Sequence, residues 1–151
     1  LEVELIQIGD SLDDQLAEEA SRAMEREPRY RWLGSVSHSR ALKLLASSHA
    51  MIISSRMEGG ANVVSEAIRI GTPVIASRMS GNVGLLGDRY PGYYPLANER
   101  ALARRITEVA RKRGFSGALK RNLARLRPTV DPRNEARMLG KAIKAVGAIA
   151  P

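Results

Sequence analysis

Short apolar runs separated by amphipathic stretches constrain this chain more than any other feature. Residues 3–9, VELIQIG, end in Gly9–Asp10 and read as a strand followed by a turn. Residues 11–27 place Leu12, Leu16, Ala20 and Met24 four apart, with acids in the first turns, and predict an amphipathic helix. Residues 30–34 form a short second strand closed by Gly34, and residues 38–48 a helix with Ser37 as its N-cap. The continuous apolar run at 50–55 suits a strand buried on both faces. A helix over 61–71 ends with Gly71 in the C′ position. A buried strand over 72–77 follows, with Pro73 at its start, and a further strand over 92–96. From Glu99 onward the pattern is helical, with breaks near Gly114–Gly117, at Pro128 and at Pro132. There is no internal repeat. Strand–helix alternation of this kind predicts an α/β fold, a parallel sheet with helices on both faces. Ligands on such sheets bind at the carboxyl ends of the strands. The loops of interest are therefore Gly9–Asp10, Gly34–Ser37, Arg56–Ala61 and Ser77–Gly87.

Composition narrows the chemistry. The chain has 151 residues, enough for one real core, and no cysteine. A disulfide scaffold, a thiolate metal site and a cysteine nucleophile are excluded. Two histidines, His38 and His49, leave little for a histidine-rich metal centre. No apolar run approaches the ~20 residues of a membrane span. The first ten residues carry neither a basic flank nor a cleavage pattern, and a cytoplasmic setting is expected. Of the net charge of +8, residues 1–99 contribute ten Lys/Arg against thirteen Asp/Glu, and residues 100–151 fourteen against three. Such a basic C-terminal third suits an anionic membrane surface, an acidic partner domain or plain solvation. It lacks a recognised nucleic-acid motif and aromatic interleaving, so no nucleic-acid partner is expected.

Residues 54–77, SSRMEGGANVVSEAIRIGTPVIAS, carry the most chemistry. A buried strand ends at Ser54–Ser55, a loop with Glu58, Gly59 and Gly60 follows, and a helix opens near Ala61–Asn62. Adjacent glycines let backbone approach a ligand closely. The first amides of the helix, around Asn62 to Val64, lack intrahelical acceptors and suit an anion such as phosphate. The alternative is a plain strand-to-helix turn with Asn62 as N-cap. Glu58 rims this loop, and Glu66, one turn into the helix, leans back toward the same mouth. A carboxylate accepts two hydrogen bonds at once and fits a vicinal diol of a sugar. The alternative is that both acids simply favour the helix dipole, worth ~0.3–1 kcal/mol.

Together these residues resemble the donor-site motif of retaining GT-B glycosyltransferases. The shared features are a Ser-Ser strand end, Glu-Gly, an Asn-Val helix start, a second Glu after seven intervening residues, and Gly-Thr-Pro-Val-Ile-Ala-Ser. Ile8–Gly9–Asp10 resembles the family's early glycine turn, and Trp32–Leu33–Gly34 its base-pocket strand end. The resemblance covers roughly residues 3–95. It implies a Rossmann-like half of a GT-B fold, the C-terminal one, that binds a UDP-sugar and is followed by a helical basic segment. Glu66 would bind the ribose hydroxyls. Glu58 would face hydroxyls of the donor sugar and is the catalytic candidate. Gly59 and Gly60 would admit the sugar and phosphate, and Asn62 and Val63 would meet the diphosphate. Leu33 and Gly34 would hold the base through backbone. No metal or cofactor is implied, and no Asp-x-Asp pattern is present.

A narrower resemblance, carried by EGGANVVSEA and ASRMSGNVGLLGDRYPGYYP, is to the selenosugar synthase subgroup, which joins a sugar from UDP-N-acetylglucosamine to selenophosphate in selenoneine biosynthesis. Family members commonly carry Gly-Gly-x-x-Glu after the second of these strands. Here Ser80-Gly81-Asn82-Val83-Gly84 stands instead, without the acid. Gly81 and Asn82 are read as a glycine-rich loop offering donors to an anionic acceptor, or as a simple turn. Against the family pattern, residues 1–151 are expected to be a donor-binding domain without its first strand and without the N-terminal acceptor domain. That domain is an expected partner, and the chain alone is expected to be inactive. The alternatives are a generic glycosyltransferase with a sugar or lipid acceptor, a nucleotide-sugar epimerase on the same fold, and a basic module binding nucleic acid or membrane.

Overall fold

The computed structural model describes residues 2–11, 13–54 and 62–147, arranged in two compact units, Leu1–Ser47 and Ser48–Pro151. The first unit runs β1 (Leu5–Gln7), α1 (Asp14–Arg26), β2 (Tyr30–Trp32) and α2 (His38–Ser47). Its two strands pair in parallel, with Leu5 opposite Tyr30 and Gln7 opposite Trp32. Helix α1 begins three residues later than the apolar spacing suggests. Asp13 is its N-cap, and the Asp13 carboxylate accepts from the Gln15 amide at 2.8 Å. Ser37 caps α2 loosely, its Oγ accepting from the Arg40 amide at 3.4 Å.

The second unit runs β3 (Met51–Ile53), α3 (Asn62–Ile70), β4 (Val74–Ser77), α4 (Ser80–Leu86), β5 (Tyr93–Tyr94), α5 (Glu99–Arg111), α6 (Arg113–Leu126), a 3-10 turn (Arg127–Val130) and α7 (Pro132–Gly147). Its sheet has the order β3-β4-β5, all parallel. Among the described residues the strands thus form two parallel sheets, one in each unit.

Strand β4 is buried at all four positions. Successive strand side chains point to opposite faces, so this sheet is covered on both sides. On one side Ile75, Tyr94 and Ala101 form a cluster with Ile52, Leu102, Ile106 and Val109, which brings in α5. Helix α3 buries Val64, Ala67 and Ile68, and packs on α6, whose Leu119 and Leu123 are fully buried. Gly71 ends α3 with φ of +90°. The Thr72 amide reaches back to the Ala67 carbonyl at 3.1 Å, the bond that closes a Schellman cap.

Two departures from the sequence pattern have physical causes. Segment 80–86, expected as a glycine-rich loop, is helical, because tertiary hydrogen bonds hold it (below). Gly114 and Gly117 lie inside α6 and do not break it; the break falls at Lys112, which has extended backbone. No side chain lies within 4 Å of a Cβ built on Gly114, and intrahelical bonds carry that turn. The proline expectations stand: Pro128 sits in the 3-10 turn, and Pro132 opens α7, where a missing N–H costs nothing.

Tyr90 fills a gap at the β4 edge. Its hydroxyl donates to the Val74 carbonyl at 2.8 Å and accepts from the Val74 amide at 3.1 Å. Strand β5 begins only opposite Ala76, so this hydroxyl supplies both bonds that a longer β5 would have made. Gly92 is forced by space: a Cβ there would stand 2.3 Å from the Val74 carbonyl oxygen and 2.5 Å from the Tyr90 ring.

Candidate functional site

In a parallel sheet every strand ends at the same edge, and the helix that follows starts there. In the second unit that edge carries the end of β3 at Ile53, the β4 end at Ser77–Arg78, and the β5 end at Tyr94–Pro95. Helices α3, α4 and α5 all open on it. Asn98 caps α5, its Oδ1 accepting from the Ala101 amide at 2.9 Å. Ala97, just before this cap, has φ of +57°, an uncommon conformation for a residue with a Cβ.

Helix α3 gathers three of the expected site residues. At 100° per residue, Asn62, Val63 and Glu66 fall on one face, and the buried Val64, Ala67 and Ile68 on the other. Asn62 is exposed, Val63 is 40% exposed, and Glu66 is partly buried. This face therefore looks away from the core at the helix end where amide dipoles favour an anion. Glu58, Gly59 and Gly60 lie outside the described residues.

The turn after β4 is built differently from its expectation. Asn82 is fully buried. Its Nδ2 donates to the Ser77 carbonyl at 2.9 Å and stands 3.3 Å from Ser77 Oγ. That amide ties α4 to the end of β4, so Asn82 is not a donor standing at the mouth of the sheet. Tyr93 adds a second tie: its hydroxyl lies 3.1 Å from both the Asn82 and Gly87 carbonyls. Gly81 sits in the first turn of α4. Replacing Asn82 by Asp would set a carboxylate against the Ser77 carbonyl, so that change tests packing before it tests ligand binding. Arg78, beside this turn, was missed by sequence reasoning. Its guanidinium stands 5.3 Å from the Tyr93 ring centre and donates to the Asp88 carbonyl at 3.0 Å. Nothing local in the sequence signals either partner.

The first unit brings two other expected segments together. The Leu33 amide donates to the Gln7 carbonyl at 3.0 Å, and the Gly9 amide to the Gly34 carbonyl at 3.0 Å. Trp32 Nε1 donates to the Gly9 carbonyl at 2.8 Å. Ile8–Gly9–Asp10 and Trp32–Leu33–Gly34 thus form one stitched edge at the carboxyl ends of β1 and β2. Gly9 and Gly34 have φ of +127° and +62°, and a Cβ at either would meet nothing within 4 Å. Conformation, rather than crowding, calls for glycine at both.

Residues 2–125 match the family described as glycosyl transferases group 1. The chain belongs to that family. No curated protein sequence matches it. Among solved structures, sucrose-phosphate synthase from Thermosynechococcus elongatus superposes with a TM-score of 0.80 at 20% identity, over 97% of this chain and 39% of that one. Anabaena HepE in complex with UDP gives 0.79 at 20% identity, over 95% and 41%. HepE in complex with UDP-glucose gives 0.76 at 22%, over 92% and 41%. The chain spans about two fifths of the length of these structures. The likeness establishes the Rossmann-like GT-B fold, here with a helical C-terminal segment. Among the described residues no helix is long and apolar enough to cross a membrane.

Proposed function

We propose that the chain is the donor-binding domain of a glycosyltransferase that uses a UDP-sugar. The observation that carries this reading is the outward face of α3. Asn62, Val63 and Glu66 share the start of a helix that opens at the carboxyl edge of a parallel sheet. Amides and a carboxylate at that place suit a diphosphate and a ribose diol, respectively. Family membership and neighbours whose structures hold UDP and UDP-glucose support it. Leu33 and Gly34 would hold the base, and Glu58, Gly59 and Gly60 the sugar and its phosphate. Catalysis in such a site is mostly electrostatic: binding stabilises the departing UDP while charge develops on the sugar. No metal or cofactor enters this scheme, and the setting is cytoplasmic.

Titration calorimetry of UDP tests it. Glu66→Ala should weaken UDP by ~1.5–3 kcal/mol, the worth of a charge-assisted hydrogen bond. Unchanged affinity removes Glu66 from the site. Glu58→Gln should weaken a UDP-sugar far more than UDP, and equal losses would move Glu58 away from the sugar.

The finer reading is UDP-N-acetylglucosamine as donor and selenophosphate as acceptor, with an N-terminal acceptor domain as partner. It rests on the sequence of the β4–α4 turn. Residues 78–87 contain no acid, and the Asp88 carboxylate that follows stands 3.3 Å from the Arg78 guanidinium, so the turn sets no carboxylate of its own against an anionic nucleophile. With the Asn82 amide engaged, Gly81 and Asn82 would contribute backbone only. Release of UDP from UDP-N-acetylglucosamine should depend on added selenophosphate. Indifference to selenophosphate, with transfer to a sugar or lipid, would end the finer reading and leave the donor site intact.

A further inference from the structure

Trp32 is the single tryptophan of the chain, and both of its N–H groups are committed. Its main-chain amide, at the end of β2, donates to the Met24 thioether of α1 at 3.2 Å, a weak acceptor. Its indole Nε1 donates to the Gly9 carbonyl at 2.8 Å. The two bonds fix backbone and ring together. Gly9 is exposed, so water can serve its carbonyl, and the indole bond rescues no buried acceptor. Its effect falls on geometry. Gly9 has φ of +127°, a region that favours glycine, and glycine has the most conformational freedom to lose. Beside the indole bond, the Gly9 amide donates to the Gly34 carbonyl and the Leu33 amide to the Gln7 carbonyl, both at 3.0 Å. Packing gives this edge little help, since among the described residues of Leu1–Ser47 only Leu45 is buried.

We propose that Trp32 is a positioning residue for nucleobase recognition: its indole N–H, acting through the Gly9 carbonyl, holds the backbone of Leu33 and Gly34 in the shape that reads a pyrimidine base. This role rests on the donor-site reading above, which gives the base to Leu33 and Gly34. Hydrogen bonds from backbone to a base edge are directional and weaken steeply with misalignment. A diphosphate is drawn by charge, which falls off slowly with distance. Loosening the Gly9 turn therefore costs base recognition first and phosphate recognition last. Backbone groups held in place before the ligand arrives also spare the cost of ordering them on binding. Phenylalanine supplies an aromatic ring at this position but no N–H. One indole hydrogen thus separates a ring that only packs from a ring that sets the base site.

Two measurements on the 151-residue chain test this. A lone tryptophan gives a single indole N–H resonance in a proton–nitrogen NMR spectrum. Added UDP should move that resonance along the same saturation curve that calorimetry records for binding. Trp32→Phe, with circular dichroism unchanged, should weaken UDP about three- to tenfold, the range of one neutral hydrogen bond, and change inorganic pyrophosphate by less than about twofold. Unchanged UDP affinity in Trp32→Phe would overturn the proposal. Equal weakening of UDP and pyrophosphate would also overturn it, because Trp32 would then support the fold at large. If Trp32→Phe does not fold, the wild-type spectrum decides, and an indole resonance that ignores saturating UDP ends the assignment. Wild-type chain that binds no UDP would overturn the donor-site reading and this role with it, whereas the other failures remove Trp32 alone.

Discussion

Strand β4 is buried at every position, whereas β1 is exposed at two of its three. The same contrast runs through their units. Among the described residues of Leu1–Ser47 only Leu45 is buried, while the second unit buries Val64, Ile68, Val74, Ile75, Leu119 and Leu123 at 1% exposure or less. Both follow one strand–helix alternation, so alternation sets topology without setting core depth. Depth follows content: β4 reads Val-Ile-Ala-Ser, whereas β1 reads Leu-Ile-Gln beside Glu4. The first unit relies more on polar stitches, among them Tyr30 to Gln7 at 2.6 Å and the exposed Arg31–Glu4 pair at 2.9 Å. Exposed pairs of that kind contribute little, about 0–1 kcal/mol.

Truncation on each side of this contrast gives the widest gap. Ile68→Ala should destabilise by about 2–5 kcal/mol, because it opens a cavity in a filled core. Leu16→Ala, at a position 56% exposed, should stay within about 0.5 kcal/mol. Urea unfolding of the two variants checks the pair, and comparable losses would dissolve the distinction between the units. Gly92→Ala should cost about 2–3 kcal/mol, since its methyl has no room against the Val74 carbonyl.

Tyr90→Phe should cost roughly 2 kcal/mol by leaving both Val74 backbone groups without their partner. The buried tyrosines also give the second unit an alkaline limit. Burial raises the Tyr93 hydroxyl from its ordinary 10 to about 12, and raises Tyr90 as well. The folded form therefore keeps protons that the unfolded chain has lost. That stabilisation is complete below about pH 10 and disappears as pH climbs through about 12. Thermal melts from pH 8 to 12 should show the decline begin near pH 10, shallower in Tyr93→Phe. The smallest effect runs the other way. Gly114→Ala, at an open position inside α6, should stabilise by about 0.5–1 kcal/mol.

What the sequence made legible is what local rules govern. The apolar runs at β3 and β4, the Gly71 stop, the Pro132 break and the helix opening near Asn62 all follow from spacing and cap chemistry. What it concealed depends on distant partners. Ser80, Gly81 and Gly84 spell a loop by local preference, yet Asn82 and Tyr93 hold the segment as α4. The Asn82 amide looked like a ligand donor because nothing in its neighbourhood announces the Ser77 carbonyl. Tyr90 meets Val74 across sixteen positions of sequence, and no periodicity points to that pair.

The Tyr90–Val74 arrangement bears on which substitutions each core position tolerates. Ile68 answers to volume, so other aliphatic side chains of similar size suit it. Position 90 answers to valence: it needs a ring of the right reach that carries one atom able to give and to take a hydrogen bond at once. Phenylalanine supplies the ring without that atom, and histidine in either neutral tautomer divides giving and taking between two separate nitrogens. Of the ring side chains, tyrosine meets both demands on a single oxygen. Randomising positions 68 and 90 and sorting for folded protein should return several aliphatic residues at the first and tyrosine at the second.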